Sequence, residues 1–404
     1  MTEQAIPCLP LETKMARLRE LSALFLKLGT ISFGGPAAHI ALIEAEIVRR
    51  RQWVSRQQFL DMLGAANLIP GPTSTEMAIN TGYVRAGWAG LCIAGASFIL
   101  PAALITGAFA WAYVRFGSLP QVASILTGIK PAVVAIIAIA IWRLGKTAIK
   151  SAGLGVLGAA ALAAFFFRLN PIAILFGGGL IGMLVHRASS LQNYTALFPT
   201  FRARALPLSL RAFTIAAAGS GAAGTAIVRP SIGKIALFFL KVGAVLYGGG
   251  YVLLAFLEQG LVQQHAWMTR QQLLDAVAIG QFTPGPVLST ATFIGYILGG
   301  VPGAAVATLG IFLPSFFYVA LLAPVLFRVR QSSWIAAFLD SVNVCAVALM
   351  AGVTYSLGVD ALRAWPSWLI ATASLVIVLR WKVSPAWIVL GGGIAGLLLT
   401  LIHP

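Results

Sequence analysis

Charge is what this chain has least of. Only 10% of its 404 side chains are Asp, Glu, Lys or Arg, where a soluble domain carries about a quarter. That scarcity excludes a soluble globular protein with an ordinary solvated surface. Histidine (4) and cysteine (3) are also rare. Cys8, Cys92 and Cys345 have no paired spacing and two of them lie in apolar stretches. They are expected as small core residues, without a role as disulfide, metal ligand or nucleophile. The few histidines form no cluster with Ser, Asp or Glu, so no catalytic residue, metal site or cofactor is expected. A membrane enzyme acting on lipid-linked phosphate would need such a constellation.

Acidic residues are scarcest of all, 11 against 28 Lys+Arg, for a net charge of +17. In a soluble protein that excess would point to nucleic acid. In an apolar chain it fits loop arginines on the positive side of a bilayer, against anionic lipid. It also suits an anionic cargo. No nucleic-acid partner is expected.

What the chain has in abundance is apolar sequence: 59% hydrophobic residues and a mean hydropathy of +0.90. Runs of roughly 20 apolar residues, the length that crosses a bilayer as a helix, follow one another from end to end. The fold class is therefore an all-α polytopic membrane protein. Residues 1–20 are polar and mixed in charge, and lack the short apolar core of a cleaved signal peptide.

The chain also contains itself twice. Leu26-Lys27-Leu28-Gly29, Phe33-Gly34-Gly35-Pro36 and Asn67-Leu68-Ile69-Pro70-Gly71-Pro72 return as Leu240-Lys241-Val242-Gly243, Tyr247-Gly248-Gly249-Gly250 and Gln281-Phe282-Thr283-Pro284-Gly285-Pro286. Lys27 to Lys241 and Pro70 to Pro284 are each 214 residues apart. Beyond the Pro-Gly-Pro turn one residue is lost, so that Gly82-Tyr83 matches Gly295-Tyr296 at an offset of 213. Matched Gly/Pro breaks inside apolar segments mark a secondary transporter. At that depth irregular backbone survives only where it is buried in protein or lines a wet cavity.

The chain divides into an N-terminal segment (1–20), a first repeat (21–187), a linker (188–233) and a second repeat (234–404). The first repeat reads as segments near 21–48, 57–84, 88–116, 129–147, 152–168 and 171–187, and the second repeats that order. Together they give about 10–13 transmembrane helices, several broken by Gly or Pro. An apolar stretch at 212–228 inside the linker would, if it crosses, turn one repeat upside down; if it does not, the repeats are parallel. Arg85, Lys130 and Arg143 become Leu298, Asn343 and Ser356. This loss of basic residues from corresponding loops favours inverted repeats.

Two prolines flanking a glycine cannot continue a helix. The hydroxyls that follow, Thr73-Ser74-Thr75 and Ser289-Thr290, describe a helix restarting in mid-membrane. A helix start offers unpaired N–H groups and a positive dipole end, which hold an anion without a formal charge. Two such starts at a repeat interface would make one site for a tetrahedral oxyanion. A Pro-kinked helix whose Ser/Thr satisfy its own backbone is the plainer alternative. The candidate substrate-binding residues are Gly34, Gly35, Asn67, Pro70, Gly71, Pro72, Thr73 and Ser74, with Gly248, Gly249, Gln281, Pro284, Gly285, Pro286 and Ser289.

Lys27, Lys241 and Arg85 are the candidates for attracting a dianion, although a lysine near a helix end can also snorkel to the interface. Glu44, Glu258 and Glu76 are the candidates for proton coupling, since a desolvated carboxylate can take up a proton. His39, unmatched in the second repeat, reads as a core residue. Trp53-Val54-Ser55-Arg56-Gln57-Gln58-Phe59-Leu60-Asp61 and Trp267-Met268-Thr269-Arg270-Gln271-Gln272-Leu273-Leu274-Asp275 read as matched amphipathic helices capped by Ser55 and Thr269. The Arg and Asp within each are expected to pair. The glycine triplets starting at Gly177 and Gly391 read as packing positions.

At these motifs the chain resembles the chromate ion transporter family in its long, two-domain form. The resemblance rests on Phe33-Gly34-Gly35-Pro36 with Tyr247-Gly248-Gly249-Gly250, and on the two Pro-Gly-Pro turns with their Trp…Gln-Gln-Phe/Leu-Leu-Asp lead-in. It covers nearly everything past residue 20, and departs at Gly250, where the first repeat has Pro36. It implies an inner-membrane protein exporting chromate from the cytoplasm, driven by the membrane potential or a proton gradient and conferring chromate resistance. Sulfate, isosteric with chromate, is the expected competitor. The implied partners are the small oxyanion and membrane lipids, and a homodimer is compatible with this reading. Sulfate uptake or exchange, and a passive anion channel, are the competing functions.

Overall fold

The fold comes from a computed structural model, which describes residues 13–33, 35–117, 119–195, 230–247, 252–322, 333–381 and 383–402. Gly34, Gly248, Gly249, Gly250 and the 212–228 stretch lie outside the described residues. Among those described, every regular element is helical. The first repeat contains α1 (Lys14–Ile31), α2 (Pro36–Glu44) running into a π-helical turn (Ala45–Arg50), and α3 (Arg56–Ala66). After these come α4 (Thr73–Phe116), α5 (Pro120–Ala148), α6 (Ala152–Phe166) and α7 (Pro171–Thr195). The second contains α8 (Ile232–Val245), α9 (Leu253–Leu257) running into a π-helical turn (Glu258–Gln264), and α10 (Arg270–Phe282). A 3₁₀ turn (Val287–Ser289) leads into α11 (Thr290–Leu322), and α12 (Ser333–Ala361), α13 (Trp365–Trp381) and α14 (Pro385–Ile402) close the chain. Four helical stretches, Thr73–Phe116, Val122–Ala148, Val287–Leu321 and Trp334–Ala361, are long and apolar enough to cross a bilayer; α6, α13 and parts of α7 and α14 are shorter apolar helices.

Local sequence explains the boundaries. Both amphipathic helices start with a capping box. Ser55 Oγ accepts from Gln58 N (3.1 Å) while Ser55 N donates to Gln58 Oε1 (2.9 Å). Thr269 and Gln272 repeat the pair at the same distances, satisfying N–H groups that a helix start leaves open. Long α4 is two helices meeting at Ala86-Gly87, and α11 bends alike at Gly299-Gly300. Gly87 and Gly300 have φ of +64° and +63°, a region that costs a side-chain-bearing residue strain. A Cβ on Gly82 would run into the Gly90 carbonyl, and one on Gly295 into that of Gly303. The two arms of each bend therefore lie backbone to backbone.

Two readings of the sequence need correction here. Helix α5 begins at Pro120, not near 129, because Pro120 occupies the first turn, where a missing N–H costs nothing. Lys130 is consequently a buried residue inside a helix, and Arg143 lies in the same helix, so neither is a loop cation and both drop out of the loop-charge comparison between repeats.

The repeats do not form separate bundles. Helix α4 packs on α1 and α11 packs on α8, each within its own repeat, and α4 and α11 pack on each other. Beyond that point the partners are exchanged. Helices α6 and α7 of the first repeat lie on α12 of the second, while α13 and α14 of the second lie on α5 of the first. The glycine triplets make these crossings possible, as small residues let helix backbones approach. Gly392 and Gly396 meet Gly128, and Gly178 and Gly179 meet Cys345 and Phe338. Cys345 is buried as expected, whereas Cys92 is exposed.

Candidate functional site

The two Pro-Gly-Pro turns are tied across the repeat interface by a reciprocal pair of hydrogen bonds. Gly71 N donates to Leu246 O (2.8 Å), and Gly285 N donates to Ser32 O (2.8 Å). Ser32 and Leu246 are themselves equivalent, each closing the first helix of its repeat just before the glycine break. Each repeat thus completes the turn of the other. Both glycines have positive φ, +143° and +87°, and both turns are buried.

The surroundings of the two turns differ. A Cβ on Gly71 would meet Glu76 Oε1 and Ser315 Oγ, so carboxylate, hydroxyl and turn share one small space. Glu76 is fully buried, and neither carboxylate oxygen has a hydrogen-bond partner; Ser315 Oγ, Ser32 Oγ and Thr75 Oγ1 are likewise buried without one. Tyr247 lies within electrostatic reach of Glu76 and of Tyr318, and Tyr318 OH donates to Ala244 O (3.0 Å). Around Gly285 the neighbours are Ala102 Cβ and Gly29 O. There Thr106 Oγ1 donates to Ser289 Oγ (3.1 Å), and His39 Nε2 reaches Ser32 O at 3.1 Å. Ser289 falls in the 3₁₀ turn, just ahead of α11.

Of the other candidate residues, Ser74 and Gln281 are buried beside the turns, as are Pro70, Pro72, Pro284 and Pro286. Asn67 is exposed, and accepts from Thr73 Oγ1 at 3.5 Å. Gly35 caps α2 with φ +80°. Lys27 lies 3.8 Å from Glu46. Arg85 pairs with Glu20 (3.3 Å) and covers the Trp53 ring at 5.1 Å. Glu44 pairs with Arg49 at a partly exposed helix end. Its counterpart Glu258 is fully buried, but bonded to Arg270 Nε (2.8 Å), whose Nη1 reaches Asp360 (2.8 Å). Of the three candidate carboxylates, only Glu76 has no cation beside it among the described residues.

Sequence reasoning missed an ion pair with both partners buried. Lys130 Nζ lies 3.0 Å from Asp275 Oδ1, with Tyr113 OH donating to Asp275 Oδ2 (2.8 Å). The expected Arg270–Asp275 pairing within α10 is replaced by two separate partnerships, since Arg270 turns to Glu258 and Asp360. In α3 it is Gln57 that bonds Asp61 (3.2 Å). The one available signal was Lys130 itself, a charge inside an apolar run. Ser315, which gave no signal in sequence, comes to the Gly71 corner through the packing of α4 on α11.

Duplicated broken helices, cross-repeat turns and buried polar groups at those turns define an integral membrane transporter of the two-repeat class. The model of the Chromate transporter family matches residues 19–183 and again 233–397, and the chain belongs to that family. The chromate transport protein of Cupriavidus metallidurans is 34% identical over 385 residues, covering 94% of this chain and 92% of that protein. A probable chromate transport protein of Synechococcus elongatus is 31% identical over 376 residues, covering 90% of each. The chromate transport protein of Pseudomonas aeruginosa is 31% identical over 388 residues, covering 93% and 91%. These relatives are named as transport proteins, and the family is one of transporters, not enzymes. No solved structure matches this chain.

Proposed function

We propose that this protein carries a divalent tetrahedral oxyanion, chromate first, out of the cytoplasm across the inner membrane, and so confers chromate resistance. Supporting this reading is the reciprocal pair of turns, each opening a long helix whose first N–H groups and hydroxyls are available to an anion. The substrate-binding residues are those of the turns and restarts: Pro70, Gly71, Pro72, Thr73 and Ser74, with Pro284, Gly285, Pro286 and Ser289. Glu76 is the residue assigned to proton coupling, ahead of Glu44 and Glu258, because it is the buried carboxylate with no cation beside it. An ionised carboxylate held in that state is costly, and a proton relieves it.

The test is chromate flux in sealed vesicles of known orientation, with and without a proton gradient and with excess sulfate. Gradient-dependent chromate movement inhibited by sulfate is expected, and Glu76→Gln should remove its dependence on the proton gradient. No chromate flux above control from folded protein would overturn the cargo assignment. Sulfate flux of equal size in the opposite direction would replace export by uptake or exchange.

A further inference from the structure

The π-helical turn of each repeat packs beside the first helix of that repeat, and the charges there differ. In the first repeat the corner is self-neutralised. Glu46 is ringed by Lys27, Arg50 (3.3 Å) and Arg51, and Glu20 by Arg51 (3.5 Å) and Arg85 (3.3 Å). In the second repeat both acids are gone. Lys234 stands at the position of Glu20 and Gly260 at that of Glu46, while Arg50 and Arg51 are replaced by Gln264 and His265. The lysine of the first helix is kept, as Lys241. Among the described residues, neither Lys234 nor Lys241 has an ion-pair partner.

Where the first repeat has an ion-pair network, the second has a cavity of about 380 Å³. One wall is a single stripe of α8, Lys234, Leu237, Phe238, Lys241, Val242 and Val245, spaced as one helix face. The other wall carries Gln259 and Gln264 from the π-helical turn and His265, which caps it. Gln259 Nε2 is fixed there by Leu169 O (3.1 Å), and His265 stacks on Trp267 at 4.6 Å. Two uncompensated ammonium groups, amide donors and an apolar floor thus line one opening. Leu237 and Leu240 are exposed on the same helix, at 66% and 38%, on a surface suited to acyl chains.

We propose that this cavity binds the phosphate headgroup of an anionic phospholipid, with Lys234 and Lys241 holding the phosphate oxygens and the glutamine amides completing the site. Charge complementarity supplies the attraction. The stem of each lysine lies along apolar wall while its head meets the phosphate at the membrane surface. The mixed lining separates a lipid from a free oxyanion, which would leave the apolar half of the cavity unused. The assignment does not depend on which anion the protein transports.

The experiment reconstitutes the full chain into phosphatidylcholine nanodiscs with and without phosphatidylglycerol, and measures retained lipid by native mass spectrometry. Wild type should hold phosphatidylglycerol through detergent exchange. Lys234→Glu, which installs the first repeat's residue, and Lys241→Gln should each lower retention severalfold, and the pair together should abolish it. Lys146→Gln, a lysine on α5 outside the cavity, should retain the lipid fully. Both lysines are exposed and without an ion-pair partner among the described residues, so these variants fold; an unchanged thermal midpoint confirms it. Equal phosphatidylglycerol retention in wild type and the double variant would overturn the proposal. So would displacement of the lipid by millimolar free sulfate or phosphate, because the site would then belong to a soluble oxyanion.

Discussion

After its π-helical turn the first repeat reverses at Gln52 with φ 52°, and the second does so at Ala266 with φ 50°; at the later bend Gly87 and Gly300 stand at 64° and 63°. Backbone geometry this closely matched accompanies side chains that have diverged widely. Asp61 is partly exposed and bonded to a glutamine of its own helix, whereas Asp275 is buried against a lysine of the other repeat. Glu44 lies at a solvated end, whereas Glu258 is enclosed with Arg270. Glu76 faces Gly71, while the corresponding corner beside Gly285 has a Ser289–Thr106 hydrogen bond. Duplication has preserved the scaffold and freed the charges to specialise. The two fully enclosed acids with a cation beside them, Asp275 and Glu258, belong to the second repeat, and the buried carboxylate without one, Glu76, to the first.

Paired substitutions test this division, and the largest effect is expected at the aspartates. Asp275→Asn leaves Lys130 buried without its counter-charge and should cost about 3–5 kcal/mol. Asp61→Asn should cost less than about 1 kcal/mol. Thermal unfolding midpoints in detergent measure both, and equal shifts would mean that the Lys130 pair does not anchor the second repeat. The glutamates should follow the same order with a smaller gap, because Arg270 is partly solvated. Glu258→Gln should cost about 2 kcal/mol and Glu44→Gln only a few tenths.

The turn glycines come next. Alanine at either incurs strain of about 1–3 kcal/mol from its positive φ. At Gly285 the obstruction is the Gly29 carbonyl and Ala102, which are backbone and short side chain and cannot rotate away, so Gly285→Ala should be the less stable protein. At Gly71 the obstruction is Glu76 and Ser315, so Gly71→Ala should lose more chromate flux, on the order of tenfold, while still inserting into the membrane. Unchanged flux in both variants would remove the turns from the transport site. The last comparison is Glu46→Gly, which makes the first repeat's corner resemble the second's. Glycine inside the helical turn and the loss of its ion pairs should together cost about 1–2 kcal/mol, and the variant should acquire a second retained phosphatidylglycerol in the nanodisc measurement.

Much of this architecture was legible in the sequence because backbone constraints leave marks that composition cannot hide. Proline and glycine inside apolar runs located the turns, and the bend at Ala86-Gly87 falls where one reading segment ended and the next began. Ser55 and Thr269 announced their capping boxes. Partner choice was not legible. Arg270 and Asp275 sit five residues apart and look like a local pair, yet tertiary packing places Lys130 and Glu258 closer. Nor did spacing reveal that α6 and α7 would lie on the other repeat, because helix exchange leaves every hydrophobic pattern unchanged. The candidate site was therefore half visible: its turns and Tyr247 could be read, while Ser315 and Tyr318 arrive only through packing.

The reciprocal bond between turns also sets an order of events during synthesis. The Gly71 donor emerges 175 residues ahead of its acceptor at Leu246. At roughly 5–20 residues per second, it waits on the order of 10–30 s for that carbonyl, at a depth where lipid offers no substitute. Helices α6 and α7 wait about as long for α12, which begins only at Ser333. For that interval the nascent first repeat is an unfinished object inside the membrane. Its survival depends on whatever shelters broken helices until the second repeat is made.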